Sequence, residues 1–308
     1  MNNKYDVTYG KLIRAILDEG EKVNDRTGVN TISSYNTFVD YGQTDLNAFP
    51  ILTSKFVPFK TVLSELLWFL EGSTDERRLA EITHNKPREE IQDKTTIWTA
   101  NAKADYWGKE DLGNIYGMMW RRTPYPIITE RNVHGYKFND VSVGYYDVLG
   151  ETIERMKVKP HDRRHVITAW QPAMQTQDQA ALPPCHHTFQ FTVTPSMQLN
   201  LLVDMRSNDI MLGHPFNMTS YALLQTMVAQ VCDFKLGKLS FVLGDAHIYT
   251  NHIEGASENW LRIKDIDLPS NPRLVVDPSI KHIDDFKKDS FELIDYKYLP
   301  KIPMPMAV

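Results

Sequence analysis

Residues 187–205 read HTFQFTVTPSMQLNLLVDM, and the fold class follows from them. Both halves, 187–193 and 197–205, are rich in β-branched, aromatic and apolar residues. Pro195 and Ser196 lie between them, which is the composition of a hairpin. Downstream, residues 218–233 (MTSYALLQTMVAQVCD) are apolar at helical spacing and predict a strong amphipathic helix. Upstream, Val166–Trp170 predicts a strand, with Arg163 and Arg164 just ahead of it. Leu12, Ile13, Ile16 and Leu17 show helical spacing, as do Val62, Leu63, Leu66, Leu67, Phe69 and Leu70. Helices and strands interleaved in this way predict an α+β domain around a large mixed sheet.

The 308 residues contain no internal repeat, low-complexity run or Gly/Ser- or Pro-rich linker, so a single domain over 1–308 is expected. The most polar stretch, about 82–111, reads as a surface insertion, and the tail 298–308, with three prolines, as extended chain. Hydrophobic residues at 42% and charged residues at 24% exclude disordered, collagenous and coiled-coil classes. A net charge of −5 gives no reason to expect nucleic acid as a partner. No apolar run approaches the roughly 18 residues that cross a bilayer, and the start MNNKYDVTYG lacks the apolar core of a signal peptide. No membrane partner is therefore expected. Two cysteines, Cys185 and Cys232, cannot build a disulfide framework, which points to a reducing, cytoplasmic compartment. His and Cys lack zinc-site spacing and no phosphate-binding glycine loop occurs, so no metal is expected.

Cys185 lies in ALPPCHHTFQF, between two prolines that fix the backbone and a strand that follows. A rigid thiol at a sheet end is a candidate nucleophile, whereas Cys232, beside Val228 and Val231, fits an inert core position. His186 and His187 are adjacent on a strand and face opposite ways, so at most one is near the thiol. Glu65 falls on the same helical stripe as Val62, Leu66 and Phe69, where a carboxylate needs a partner or a raised pKa. It is either an edge residue reaching solvent or a general acid/base facing a cleft. Arg26, Arg163, Arg164 and Arg206 each stand beside small polar residues near a turn or strand end. Singly they fit surface ion pairs; together they would make a phosphate site. In RSNDIMLGHPFN (206–217), Asn217 can both accept from and donate to a pyrimidine edge, or can cap the helix at Met218. His247 and Tyr249, two apart, would share one side of a strand.

These residues sit in ten stretches: DRTG (25–28), PILTSK (50–55), SELLWFLEGST (64–74), TIWTAN (96–101), LGNIYGMMWR (112–121), DRRHVITAW (162–170), LPPCHHTFQF (182–191), RSNDIMLGHPFN (206–217), LGDAHIYTNHIE (243–254) and the final MAV. In this order, over nearly the whole chain, they resemble the thymidylate synthases. The resemblance implies reductive methylation of dUMP to dTMP, with 5,10-methylenetetrahydrofolate giving carbon and hydride. It also implies that fold, in a homodimer whose sheets pack face to face. Cys185 would attack carbon 6 of uracil, with Arg206 favouring its thiolate. Arg26, Arg206 and Ser207 would hold the phosphate, joined across the interface by Arg163 and Arg164. Asn217 would read the base, and His247 and Tyr249 the 3′-hydroxyl. Glu65 would relay protons and Tyr116 would help remove the carbon-5 proton. Trp98, Leu182, Asp209, Gly213 and Phe216 would line the folate site, Lys55 would meet the glutamate tail, and Val308 would close the site. The resemblance makes Cys185, Glu65, Tyr116, Arg206, Asp209 and Asn217 the catalytic set.

The sequence departs from the family pattern at Phe56, Gln171, His187 and His214, and DMRSND replaces a frequent YQRS pattern. The sister pyrimidine 5-hydroxymethyltransferases share the nucleophile but add water instead of hydride. Asn217 favours uracil over cytosine, and the MAV tail favours the synthase because hydride transfer needs water excluded. A Cys–His hydrolase would leave the arginines and tail without a role. A non-catalytic RNA-binding protein on the same fold would leave the catalytic set unused.

Overall fold

The computed structural model describes residues 3–24, 28–134, 136–176, 178–267 and 271–305. Helix α1 (Lys4–Glu19) leads to strands β1 (Glu21–Val23) and β2 (Thr31–Gln43), then helices α2 (Phe59–Leu70), α3 (Glu76–His84), α4 (Thr99–Ala102) and α5 (Tyr116–Arg121). A hairpin, β3 (Thr123–Val133) and β4 (Tyr136–Tyr146), precedes α6 (Val148–Val158). Strands β5 (Val166–Thr168), β6 (His186–Val193), β7 (Gln198–Met205) and the short β8 (Asn208–Asp209) follow. Helix α7 (Gly213–Val231), β9 (Lys235–Tyr249), α8 (Ile253–Asp265), β10 (Arg273–Val276) and β11 (Phe291–Ile294) complete the described chain.

The central sheet runs β1-β2-β9-β7-β6-β5, and β8 continues beside β9 past the end of β7. It is mixed: β7 and β8 lie parallel to β9, and the other neighbours are antiparallel. Alternation on β6 and β7 sends Phe189, Phe191, Val193, Leu199, Leu201 and Val203 into the core. The opposite face carries an uncovered row paired across the sheet, Phe38–Val242–Asp204–Thr188–Thr168.

Helix α1 starts where Asn3 accepts from the Tyr5 amide at 3.0 Å and buries Tyr5, Tyr9, Leu12, Ile13 and Ile16. Helix α7 corrects the amphipathic expectation: Tyr221 to Ala229 are buried without interruption. It runs through the core with α2 on one side and β7 and β9 on the other, so it has no solvent face. Its start is also earlier than expected. Gly213 is its first residue, so Asn217 lies inside the helix and does not cap it; Asp209 instead accepts from the amides of Met211 and Leu212 at 2.8 and 3.0 Å. The polar stretch 82–111, expected at the surface, places Trp98, Ala102 and Trp107 in the core cluster and buries Ile91. Polar residues between anchoring aromatics masked these contacts.

Past Tyr298 the described tail is extended and docked. Leu299 donates to the Thr53 carbonyl at 2.8 Å, Arg262 to that of Pro300 at 2.6 Å, and His252 Nε2 to that of Pro305 at 2.6 Å. Ile302 is buried.

Candidate active site

Cys185 precedes β6, and Arg206 follows β7. Because the hairpin folds back on itself, its two ends meet: the Arg206 amide donates to the Cys185 carbonyl at 2.9 Å. The Arg206 guanidinium donates to the carbonyls of Pro184 (3.0 Å) and Pro183 (2.9 Å) and stands 3.8 Å from the Cys185 sulfur. The two prolines have no amide hydrogens of their own, yet they supply the acceptors that hold this cation beside the thiol. Cys185 is half-buried, and its amide donates to the Tyr116 hydroxyl at 2.8 Å.

A bulge separates the two histidines. His186 pairs with Met205 and Thr188 with Asp204, leaving His187 as the extra residue. His186 turns inward and stacks on Tyr116, with ring centroids 3.8 Å apart and planes 10° apart, while its Nδ1 meets the Tyr221 hydroxyl at 2.7 Å. Burial pushes the His186 pKa down to about 3, so the ring is neutral. His187 faces the other side, 3.4 Å from Asp204. Burial also raises the Tyr116 phenol well above its ordinary pKa, with Cys185 adding to it. Gly117, next to Tyr116, lets α5 press against α2: a Cβ there would stand 2.9 Å from the Phe69 carbonyl.

Glu65 emerges from the apolar stripe of α2. The indole of Trp98 donates to it at 2.8 Å, and burial of the carboxyl pushes its pKa up to about 6. Trp98 is held by a buried pair that sequence reasoning missed. Glu76 accepts from Thr96 and Thr99, each at 2.6 Å, while Arg77 binds Glu76 and the Lys94 carbonyl. The acidic–basic start of α3 therefore fixes the loop that presents Trp98.

On the other wall, Asn217 Oδ1 accepts from Asn208 Nδ2 at 3.2 Å. Leu182 and Phe216 are partly buried against the core. One oxygen of Asp209 takes the two loop amides, which leaves the other without a hydrogen bond among the described residues. Lys55 is buried, with its ammonium on the Met211 carbonyl; burial lowers its pKa to about 8. His247 and Tyr249 do share a side of β9, with rings 5.3 Å apart. Burial disfavours protonation of His247, but Asp245, 3.5 Å away, outweighs it and raises the pKa. Ser207 is half-buried beside Arg206. Arg163 and Arg164 are exposed just ahead of β5, and Arg164 is paired with Asp162 at 2.8 Å. Arg26 and Val308 lie outside the described residues.

The family model described as Thymidylate synthase matches residues 7–308. Curated relatives agree. The thymidylate synthase of Ascaris suum is 36% identical, with 99% of this chain and 98% of that protein aligned. That of Saccharomyces cerevisiae is also 36% identical at the same coverage. The thymidylate synthase of Mycoplasma mobile is 36% identical, over 97% of this chain and 99% of the relative. The chain belongs to the thymidylate synthase family. It is an enzyme of that one-carbon methyltransferase family, with a mixed sheet and helices to match. A separate groove of about 2150 Å³, lined by residues including Lys60, Arg78 and Lys288, contains none of the expected site residues. Among the described residues no helix is long and apolar enough to cross a membrane.

Proposed function

We propose that the enzyme methylates dUMP to dTMP. The observation that carries this reading is the meeting of Cys185, Arg206 and Tyr116 at the open end of the β6–β7 hairpin, opposite its turn. The Cys185 sulfur adds to carbon 6 of uracil, and the electron pair of the ring double bond moves to carbon 5 and the carbonyl at position 4. Arg206 supplies positive charge where the thiolate forms. Asn217 and Glu65 bind the polar edge of the base, and a carboxyl with a pKa near 6 exchanges protons readily at neutral pH. The Tyr116 hydroxyl stands on the Cys185 amide, in reach of a base bonded to that sulfur, and assists loss of the carbon-5 proton. Carbon 5 would first bond the methylene carbon of the co-substrate and lose its proton as the carrier leaves; hydride arriving at that carbon would then expel the thiolate, which restores the ring double bond and frees Cys185.

The co-substrate 5,10-methylenetetrahydrofolate would supply the methylene carbon and the hydride. Trp98, Leu182 and Phe216 offer apolar contacts and the unused Asp209 oxygen an acceptor for ring N–H groups, with Gly213 beside it and Lys55 behind. Arg206 and Ser207, with Arg26, bind the phosphate, while His247 and Tyr249 take the 3′-hydroxyl. The uncovered sheet face, with Tyr35, Phe38 and Leu202 exposed, supports a homodimer packed through it. Arg163 and Arg164 of one copy then reach the phosphate in the other, and the residues toward Val308 seal the site against water. The chain is read as one domain working in a reducing, cytoplasmic compartment.

The test is a mass-resolved product assay with dUMP and, separately, dCMP, each with methylenetetrahydrofolate. A methyl product with dihydrofolate released supports the synthase. A hydroxymethyl product with tetrahydrofolate returned makes the enzyme a hydroxymethyltransferase, and no product from either refutes the substrate.

A further inference from the structure

Behind Asn217 lies a buried polar chain that the chemistry above does not use. The Tyr41 hydroxyl meets His214 Nε2 at 2.8 Å, His214 Nδ1 meets Asn208 Oδ1 at 2.7 Å, and Asn208 Nδ2 meets Asn217 Oδ1 at 3.2 Å. Tyr41, His214 and Asn208 are all almost fully buried. His214 is caged by the rings of Tyr9, Tyr41 and Phe241, at 6.3, 5.9 and 5.2 Å between centroids. A histidine so enclosed by aromatics needs its hydrogen bonds.

The chain has one direction. An amide oxygen can only accept, so His214 Nδ1 carries the proton it gives to Asn208. The ring is neutral, because burial pushes its pKa down to about 3, and Nε2 therefore accepts from Tyr41. With the Asn208 oxygen turned to His214, its NH2 faces Asn217. Asn217 must in turn present its oxygen to Asn208, which fixes where its own NH2 lies.

Uracil offers a carbonyl at position 4 and an N–H at position 3. Cytosine offers an NH2 and a bare nitrogen at the same places. An asparagine free to turn over serves either base equally well. We propose that His214 and Asn208 are positioning residues that lock the Asn217 carboxamide in the orientation that reads uracil and rejects cytosine. This rests on Asn217 reading the base, as proposed above. Turning Asn217 over would set two NH2 groups against each other in a buried place, a penalty of roughly ten- to a hundredfold in an equilibrium.

The test is the ratio of dCMP to dUMP dissociation constants, measured by titration calorimetry on wild type, Asn208→Asp and His214→Leu, with melting temperature recorded. A carboxylate at 208 still accepts from His214 but can only accept from Asn217, which must then turn over. Asn208→Asp should lower the ratio by about 10- to 100-fold. His214→Leu frees Asn208 without reversing it and should lower the ratio by about 3- to 10-fold. If Asn208→Asp does not fold, His214→Leu decides. A merely structural role would lower the melting temperature or weaken both nucleotides equally. An unchanged ratio in a folded variant therefore overturns the proposal. Wild type that binds neither nucleotide refutes the substrate reading itself, and the proposal with it.

Discussion

Two hairpins of this molecule have similar length and opposite fates. β6–β7 is threaded between β9 and β5, its inner face lies under α7, and its two ends bring Cys185 and Arg206 together. β3–β4 pairs over eleven residues on each strand, yet nearly every position is exposed and it carries no site residue. The difference lies in phase. On β6 and β7 the apolar positions keep one period, so one face can be buried whole. On β4 they change phase, from Tyr136 and Phe138 to Val141, Val143 and Tyr145, so no single face can be buried. The proposed chemistry falls on the hairpin whose inner face the core holds.

The largest effect should come from removing the thiol. Cys185→Ala is expected to lower turnover at least about 10⁴-fold while dUMP affinity stays within about tenfold, checked by single-turnover product formation and calorimetry. Appreciable turnover would place the nucleophile elsewhere. A matched pair then separates the hairpins. Phe191→Ala should cost about 3–5 kcal/mol by urea unfolding, since Phe191 is fully buried. Phe138→Ala, at 49% exposure, should stay within about 0.5 kcal/mol and leave turnover unchanged. Equal losses would mean that β3–β4 is covered in solution.

Glu65 lies between these extremes and tests the cleft side of α2. Glu65→Gln should reduce kcat by about 10²- to 10³-fold. Stability should move the other way. The folded pKa of about 6 is raised above the ordinary 4.5 by burial, so the folded state holds its proton longer than the unfolded chain. Wild-type stability therefore falls as pH rises from 4.5 through 6, by about 2 kcal/mol in all, and is not recovered above. Glu65→Gln should thus gain up to about 2 kcal/mol on wild type at pH 8 and nothing at pH 4, measured by urea unfolding at both values. An equal difference at both would show that Glu65 titrates normally.

Much of this was legible in the sequence. Periodicity located α1, α2, β5, β6 and β7, because each has one consistent face to bury. The carboxylate on an apolar stripe marked Glu65, whose surroundings prove apolar enough to raise its pKa. The illegible parts have physical causes. Pro124 and Pro126 and the phase change hid β3–β4, which pairs without needing a core. Helix α7 looked two-sided because Thr219, Gln225 and Thr226 are polar, but each is bonded within the core: Gln225 to the Leu199 and Lys238 carbonyls, Thr219 to that of Pro50 and Thr226 to that of Ala222. Tyr41 and Asn208 were missed because they meet only through His214, across 173 and 6 residues of chain. His214 itself stood out only as a polar residue at a position where the family often has an apolar one.

The covalent step is open to a single measurement. A 5-fluorinated dUMP cannot lose its carbon-5 substituent as a proton, so the adduct would persist once the methylene group is bound. Intact-mass analysis after incubation with this nucleotide and methylenetetrahydrofolate should show the protein heavier by both molecules, and fragment mapping should place them on Cys185. No added mass, or attachment to any other residue, would contradict the placement of the nucleophile just ahead of β6.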